Sequence, residues 1–159
     1  MNKIGNGCDI HQLAEGYRLI IGGIHIPFEK GSKGHSDGDV LIHAIVDALL
    51  GAVAEGDIGA HFPSNDDKWK NADSRIFLEH AHKIVTKKGF QISNLDCTII
   101  LQTPKLSTFI SKIRKNISEI LDLSLDNISI KATTTDYLGF IGRGEGIASL
   151  ATCLLNRNK

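Results

Sequence analysis

Apolar side chains alternate with small or polar ones in several short segments of the chain. Such alternation is typical of β-strands that bury one face. The segments predicted as strands are residues 3–12, 17–21, 24–26, 94–102 and 128–133. Residues 147–155 are almost continuously apolar, so periodicity leaves helix and strand equally open there.

Three other segments repeat their apolar residues at helical spacing. The first helix is predicted from Asp39 to about Ala54, and Ser36 with Asp39 resembles a capping box at its start. The second lies within residues 73–89, which end in two lysines and a glycine that suit a helix C-terminus. The third covers residues 106–121.

This order of elements predicts an α+β fold, with a mixed β-sheet that carries its helices on one face. Three prolines and the absence of an internal repeat favour a single domain over residues 1–159. Residues 55–72 form a polar loop that is longer than compact domains usually keep without a task. We therefore predict that this loop contacts a ligand.

Charge and composition indicate which classes of partner and which cellular location to expect. The chain has 18 basic and 18 acidic residues, so neither nucleic acid nor an anionic membrane is an expected partner. The longest apolar stretch, residues 40–54, is interrupted by His43 and Asp47 and is too short to span a bilayer. Three scattered cysteines without CxxC spacing and an N-terminus without a targeting pattern favour a bacterial cytoplasmic protein. An organelle protein whose leader has been removed would have the same features.

Asp9 and His11 lie two positions apart in the first predicted strand, so their side chains share one face. Together with His43 from the next helix they offer three nitrogen and oxygen ligands. Three such ligands and an open position are the usual arrangement of a catalytic zinc. The alternative is that Asp9 and His11 bond locally and that His43 is an ordinary helix histidine.

The segment GHSDGD, residues 34–39, places His35 and Ser36 at a helix N-terminus, where free amides and the helix dipole suit an anion. A simple helix cap explains these residues equally well. The segment KATTTD, residues 131–136, offers hydroxyls and amides to a phosphate, and its aspartate suits a hard cation. Its threonines are also what β-propensity alone favours.

Arg143 stands among close glycines in GFIGRGEG, residues 139–146, where a guanidinium can reach phosphate oxygens. The same glycines are compatible with a turn or a bulge. The sequence contains no serine or cysteine nucleophile with an evident neighbouring base. We therefore predict a metal-assisted site that handles phosphate.

Taken together, the segments closely resemble the 2-C-methyl-D-erythritol 2,4-cyclodiphosphate synthase family of the non-mevalonate isoprenoid pathway. The resemblance runs in the family's order over nearly the whole chain. The matching segments are GNGCDIHQL, IIGGIHIP, GHSDGDVLIHAIVDALLGA, GDIGAHFP, NADSR, TIILQTPK and IKATTTDYLGFIGRGEGIA.

The resemblance implies a homotrimer whose sheets face the threefold axis, with an active site at each subunit interface. It also implies a cytidine diphosphate derivative as substrate, 4-diphosphocytidyl-2-C-methyl-D-erythritol 2-phosphate. The 2-phosphate of this substrate attacks its β-phosphorus and expels CMP. One Zn²⁺ per site and a Mg²⁺ or Mn²⁺ bound with the substrate are the implied cofactors.

Residue roles follow from the matched motifs. By this resemblance Asp9, His11 and His43 bind zinc, and His35 and Thr134 stabilise the transition state. Asp136, where the family has glutamate, corresponds to a ligand of the second cation. The implied substrate contacts are Asp9, Ile10, His11, His35, Ser36, Asp57, Ile58, Gly59, Phe62, Pro63, Ser64, Asn65, Asp66, Leu101, Gln102, Thr103, Pro104, Lys105, Leu106, Thr133, Thr134, Thr135, Asp136, Phe140 and Arg143.

Two other functions remain open at this point. A zinc-dependent phosphohydrolase would use the same ligands to activate a water molecule. A protein of a different class, a trimeric binder of isoprenoid diphosphates, would hold its ligand in a central cavity near Arg143.

Overall fold

The computed structural model describes residues 1–158 as seven strands and five α-helices. The strands are β1 (Asn2–Glu15), β2 (Leu19–Ile21), β3 (Ile24–Ile26), β4 (Lys30–Lys33), β5 (Phe90–Ile100), β6 (Ile128–Thr133) and β7 (Gly146–Arg157). The helices are α1 (Val40–Ala52), α2 (Ile58–His61), α3 (Arg75–Lys87), α4 (Ile110–Leu121) and α5 (Gly139–Gly142). Short 3₁₀ helices cover Asp67–Trp69 and Leu125–Asn127.

Five of the strands form one mixed sheet in the order β4-β1-β7-β5-β6, and β2 and β3 form a separate hairpin. Only β5 and β6 run parallel, and α4 lies in the long connection that a parallel pair requires. Helix α1 packs across β1 and β7, α3 lies beside α1, and α4 lies beside α3 and β6. The predicted α+β class with a mixed sheet is confirmed.

The first helix approaches β1 at two glycines. A Cβ atom on Gly5 would lie 1.9 Å from the carbonyl oxygen of Ala48, and one on Gly7 would lie 2.0 Å from that of Ala44. Glycine therefore lets the helix backbone rest directly on the strand. Because Cβ directions alternate along a strand, the residues two and four positions after Gly7 also face α1.

No helix or strand among residues 1–158 covers the opposite face of the sheet. Ile4, Ile10 and Leu150 have side chains that are 72%, 56% and 47% exposed. Cys8 pairs with Leu150 across β1 and β7, so this cysteine also lies on the uncovered face. An apolar sheet face of this kind is typical of a surface that another protein covers.

Several predicted boundaries need correction. Lys30–Lys33 lies outside the predicted strands, yet it pairs with β1 as an edge strand. The third helix begins at Ile110 rather than at residue 106. Residues 147–155 are strand: β7 pairs with β1 and β5, and its burial alternates from Ser149 to Leu155, with apolar residues on both faces because the uncovered face is itself apolar. The loop 55–72 contains α2 and a 3₁₀ helix.

The predicted capping box at the start of α1 is wrong. Asp39 itself is the N-cap, and its carboxylate accepts from Ile42 N at 3.0 Å. The same carboxylate accepts from Gly22 N at 2.9 Å and from Gly23 N at 2.6 Å. Ser36 therefore does not cap the helix, and its hydroxyl lies 3.2 Å from Nε2 of His43.

Replacing this carboxylate by an amide should destabilise the fold. In Asp39→Asn, the side-chain NH₂ must face at least one of the three N–H donors, two of which are buried. We expect the free energy of unfolding to fall by about 2 kcal/mol, since an N–H donor then faces an NH₂ group in place of its acceptor. Urea unfolding measures this loss, and Asp126→Asn, at an exposed carboxylate, is the control. Equal stability of the two variants would contradict the role of Asp39.

No helix within residues 1–158 combines the length and the apolar character needed to cross a membrane.

Candidate metal and active site

Asp9 and His11 of β1 meet His43 of α1. Nδ1 of His11 lies 2.9 Å from Oδ2 of Asp9, and Nδ1 of His43 lies 3.0 Å from the same oxygen. One ligand atom from each residue lies within 4.8 Å of the others. The predicted convergence of these three residues into a group that can hold a metal ion is confirmed.

The electrostatics of this group favour positive charge. Burial alone would raise the pKa of the Asp9 carboxyl, but the contacts with the two imidazoles hold that pKa well below its usual range. Burial alone would lower the pKa of His43, but the Asp9 carboxylate raises it. The carboxylate is therefore ionised at neutral pH and attracts positive charge.

His43 is held by a network on its other ring nitrogen. Ser74 donates its hydroxyl proton to Asp37, so the Ser74 oxygen accepts from Nε2 of His43 at 2.9 Å. With Nε2 protonated, Nδ1 directs either a lone pair or a second proton at the Asp9 carboxylate. A lone pair and a carboxylate oxygen 3.0 Å apart repel each other unless a cation lies between them.

The position of His11 also favours a cation between these side chains. Its Nδ1 is close to Asp9 but not aligned for a hydrogen bond, and it is a buried nitrogen without a hydrogen-bond partner among residues 1–158. Ligands about 2.0 Å from a tetrahedral zinc lie about 3.3 Å from one another, close to the two distances observed. The residues present therefore fit a metal ion.

The group opens onto a cavity of about 190 Å³. The cavity is lined by His11, His35, Ser36, His43, Ile58, Gly59, Phe62, Ser64, Trp69 and Phe77. Nε2 of His35 lies 2.9 Å from the carbonyl oxygen of Asp66, which ties the GHSDGD segment to the long loop. Pro63 and Asn65 lie in the exposed turn of that loop.

A second cavity, of about 340 Å³, lies at the β5–β6 edge. Its lining includes Leu101, Gln102, Pro104, Lys105, Leu106, Thr133 and Thr134. Leu101 N donates to Thr133 O at 2.9 Å, and Tyr137 N donates to Oε1 of Gln102 at 3.0 Å. These bonds join the TIILQTPK and KATTTD segments into one surface, with Thr103 exposed beside it.

The two cavities lie on different parts of the sheet. His35 lines the first and Thr134 the second. Strands β1 and β6 are three places apart in the sheet order, or about 14 Å at the usual strand spacing. A substrate that contacts both sets of residues therefore needs either a long reach or a second copy of the chain.

The remaining predicted residues are spread around these cavities. Asp57 caps α2 by accepting from Ala60 N at 2.8 Å. Thr135 donates its hydroxyl proton to Leu138 O at 2.8 Å, and Asp136 is exposed with Oδ1 3.4 Å from Oγ1 of Thr134. The guanidinium of Arg143 makes a two-point ion pair with Glu145.

Phe140 belongs to a third pocket. It lines a space of about 370 Å³ together with Ile10 of the uncovered sheet face and with Glu145. Ile10 is therefore on the side of β1 opposite to the metal group, as strand alternation requires.

Two further histidines hold the loop that closes the first cavity. Nε2 of His61 donates to Glu55 O at 2.8 Å, and its Nδ1 lies 3.1 Å from Nε2 of His80 on α3. With its only proton on Nε2, His61 accepts at Nδ1 and His80 donates. Phe62 packs beside this pair, with its ring centroid 5.0 Å from that of His80 and 4.3 Å from that of Phe77.

This histidine contact should make stability depend on pH. Burial, and then the neighbouring His61, lower the pKa of His80 below its usual 6.5. The unfolded chain takes up this proton at a higher pH than the folded chain does. The contribution of His80 to the free energy of unfolding is therefore fully present above its pKa in the unfolded chain. It is lost as the pH falls through its lower pKa in the folded chain.

We expect the thermal midpoint to fall more for the wild type than for His80→Gln between about pH 7.5 and pH 5.5. Gln removes the titration but keeps an N–H donor for His61. Because the metal group titrates in both proteins, the difference between them reports His80. Parallel pH profiles would show that the pKa of His80 is the same in the folded and the unfolded chain, and would contradict this prediction.

Sequence reasoning missed several residues of this site. Asp37 and Ser74 hold His43, while Trp69 and Phe77 form the cavity wall. They come from the segment before α1, the long loop and the start of α3, so no local spacing shows that they meet. The short segment NADSR, which contains Ser74, was noted only as part of the resemblance.

The fold and the site define an α+β protein that places three metal-ligating side chains beside a cavity. The YgbB family model matches residues 2–156, and the chain belongs to this family. It is an enzyme of the lyase type, as its relatives show. The family expected from the sequence is thereby confirmed.

The similar proteins carry consistent names. The 2-C-methyl-D-erythritol 2,4-cyclodiphosphate synthase of Bacillus cytotoxicus is 57% identical over 157 residues, which cover 99% of each chain. A bifunctional IspDF structure from Campylobacter jejuni has a TM-score of 0.95 and 44% identity. The match covers 99% of this chain, but this chain spans only 42% of the length of that protein.

A third relative contains a nucleotide. The IspF protein of Plasmodium falciparum, solved as a complex with CDP, has a TM-score of 0.88 and 38% identity. The match covers 99% of this chain and 97% of that one.

Proposed function

We propose that this chain converts 4-diphosphocytidyl-2-C-methyl-D-erythritol 2-phosphate to 2-C-methyl-D-erythritol 2,4-cyclodiphosphate and CMP, in isoprenoid precursor biosynthesis. The observation that carries this proposal is the Asp9–His11–His43 group beside a cavity, in a family whose member from Plasmodium falciparum binds CDP. Residues 1–159 act as one cyclodiphosphate synthase domain.

The proposed reaction needs no protein nucleophile. An oxygen of the substrate's 2-phosphate forms a bond to the β-phosphorus, and the bond from that phosphorus to the α/β bridging oxygen breaks. CMP leaves with the electron pair. The protein must fold the substrate back on itself and stabilise the charge that builds up. This explains why no activated serine or cysteine is needed.

Asp9, His11 and His43 would hold a zinc ion, and His43 would be oriented by Ser74 and Asp37. When bound, zinc supplies a Lewis acid that polarises a phosphate oxygen. Asp136 would face a Mg²⁺ or Mn²⁺ ion that accompanies the substrate. His35 and Thr134 would donate hydrogen bonds to the phosphates, one from each cavity.

We also propose a homotrimer. Its support is the uncovered apolar face of the sheet, and the separation of the His35 and Thr134 cavities, which two neighbouring copies would bring together. Phe140 and Ile10 would then line a central cavity, with Arg143 close to it. An isoprenoid diphosphate is the ligand that we propose for that cavity.

The products test the proposal. Incubation with substrate, zinc and magnesium should release CMP together with a cyclic diphosphate that contains no added water. Mass spectrometry in ¹⁸O-labelled water separates this result from hydrolysis. A linear product with one ¹⁸O atom would identify a phosphohydrolase instead. Tight binding without turnover, unchanged in His43→Ala, would identify a binding protein.

A further inference from the structure

Helix α2 carries one wall of the metal-side cavity but is too short to be stable alone. Its residues Ile58 and Gly59 line the cavity, and Phe62 follows directly. A helix of four residues cannot hold itself in place by its own hydrogen bonds. Its position must therefore come from bonds to other elements.

One of these bonds comes from the helix that carries a metal ligand. Ile58 N donates to Oδ1 of Asp47 at 2.7 Å. Asp47 belongs to α1 and lies four residues after His43, so the two side chains are on one face of that helix. The start of α2 is thus bonded to the same rigid element as the metal group.

The geometry around Asp47 suits an acceptor rather than an ion-pair partner. Its side chain is half-buried and lines a pocket of about 540 Å³ with Asp57 and Gly56. Asp57 does not compete for Ile58 N, because its own carboxylate accepts from Ala60 N. The far end of α2 is held separately, through His61 and Glu55 O.

We infer that Asp47 is a positioning residue of the active site. It fixes residues 56–62, the α2 loop, relative to His43 and so sets the place of the nucleotide substrate. This inference rests on the proposed function in that it takes the α2 loop as a substrate contact. Asp47 itself acts through Ile58 N and need not touch the substrate.

Two variants distinguish loss of the hydrogen bond to Ile58 N from replacement of the Asp47 side chain. Asp47→Ala removes the acceptor, whereas Asp47→Asn keeps an oxygen that accepts from Ile58 N. We expect Asp47→Ala to weaken CDP binding, measured by calorimetry on the zinc-loaded protein, about tenfold. Asp47→Asn should stay within about threefold of wild type. Glu119→Ala, at an exposed helix carboxylate, is the control and should bind CDP normally.

Kinetics with the substrate give a second measurement. Because the loop contacts are made in both the ground state and the transition state, KM should rise about tenfold in Asp47→Ala while kcat stays within about threefold. Zinc content by elemental analysis should remain at the wild-type value. Normal CDP binding in Asp47→Ala, or equal loss in the Ala and Asn variants, would overturn the inference. So would a fall in kcat accompanied by loss of zinc.

The donor can be removed from the other side of the same bond. Ile58→Pro deletes the N–H at the first position of α2, where proline fits a helix. Ile58→Ala also shortens the side chain but keeps the N–H. Weaker CDP binding by Ile58→Pro than by Ile58→Ala supports the inference even where Asp47→Ala does not fold. Equal binding by these two Ile58 variants contradicts it.

These measurements also separate the inference from the proposed function. A wild-type protein that binds CDP but releases no CMP from the substrate would refute the proposed reaction. The comparison of CDP affinities among the Asp47 variants would still decide the role of Asp47.

Discussion

His43→Ala should lose most of its bound zinc and nearly all of its activity while it stays folded. The variant removes one of three ligands and leaves Asp9 and His11 alone on β1. Loss of a mere hydrogen-bond partner of a metal ligand typically costs 10- to 100-fold, so we expect kcat/KM to fall by more than about 100-fold. Elemental analysis of the purified variant and CMP release measure the two effects.

The control for this variant is His25→Ala, because His25 is an exposed histidine on β3, outside the metal group. It should keep zinc, activity and oligomeric state. A His43→Ala protein that still contains stoichiometric zinc would remove His43 from the ligand set. Loss of oligomeric state together with zinc would instead indicate a structural role for the ion.

Gly7→Ala should be among the most destabilising small substitutions in this chain. The added methyl group would lie 2.0 Å from the carbonyl oxygen of Ala44, and no side-chain rotation can relieve a contact with the helix backbone. We expect a loss of about 3 kcal/mol or more, the upper end of overpacking costs. Denaturant unfolding measures this loss, and zinc affinity should fall with it, since α1 must move away from Asp9.

Gly51→Ala is the matched control because it adds the same methyl group to α1. Within residues 1–158, no atom outside the neighbouring helix backbone lies within 4 Å of the added methyl group there. Alanine in a helix is favoured over glycine by up to about 1 kcal/mol, so this variant should gain stability. A Gly7→Ala protein as stable as wild type would mean that the close approach of β1 and α1 is not required.

The group that can hold a metal ion is the part of the site that the sequence predicts best. Asp9 and His11 share a face because strand geometry is local, and two positions suffice to define it. The amphipathic pattern after residue 39 places His43 on a buried helix, and the glycines before Asp9 permit that helix to approach. The expected convergence follows from short-range rules together with one packing contact.

Other features are invisible in local patterns. Nothing in the spacing of Asp37, Ser74 and His43 predicts their network, because it joins a loop, a helix start and a helix interior. The bond from Ile58 N to Asp47 is equally non-local. The short edge strand β4 has a composition typical of loops, and only its pairing with β1 makes it a strand.

The sequence by itself determined the α+β class, the family and the identity of the three residues that can hold a metal ion. These depend on periodicity, on ordered motifs and on the chemistry of side chains. The tertiary structure alone decided how far α1 approaches β1, which groups hold His43 and α2, and that the His35 and Thr134 cavities lie on different parts of the sheet. The physical reason is that distances between segments come from packing and from hydrogen bonds across the chain, which no local pattern records.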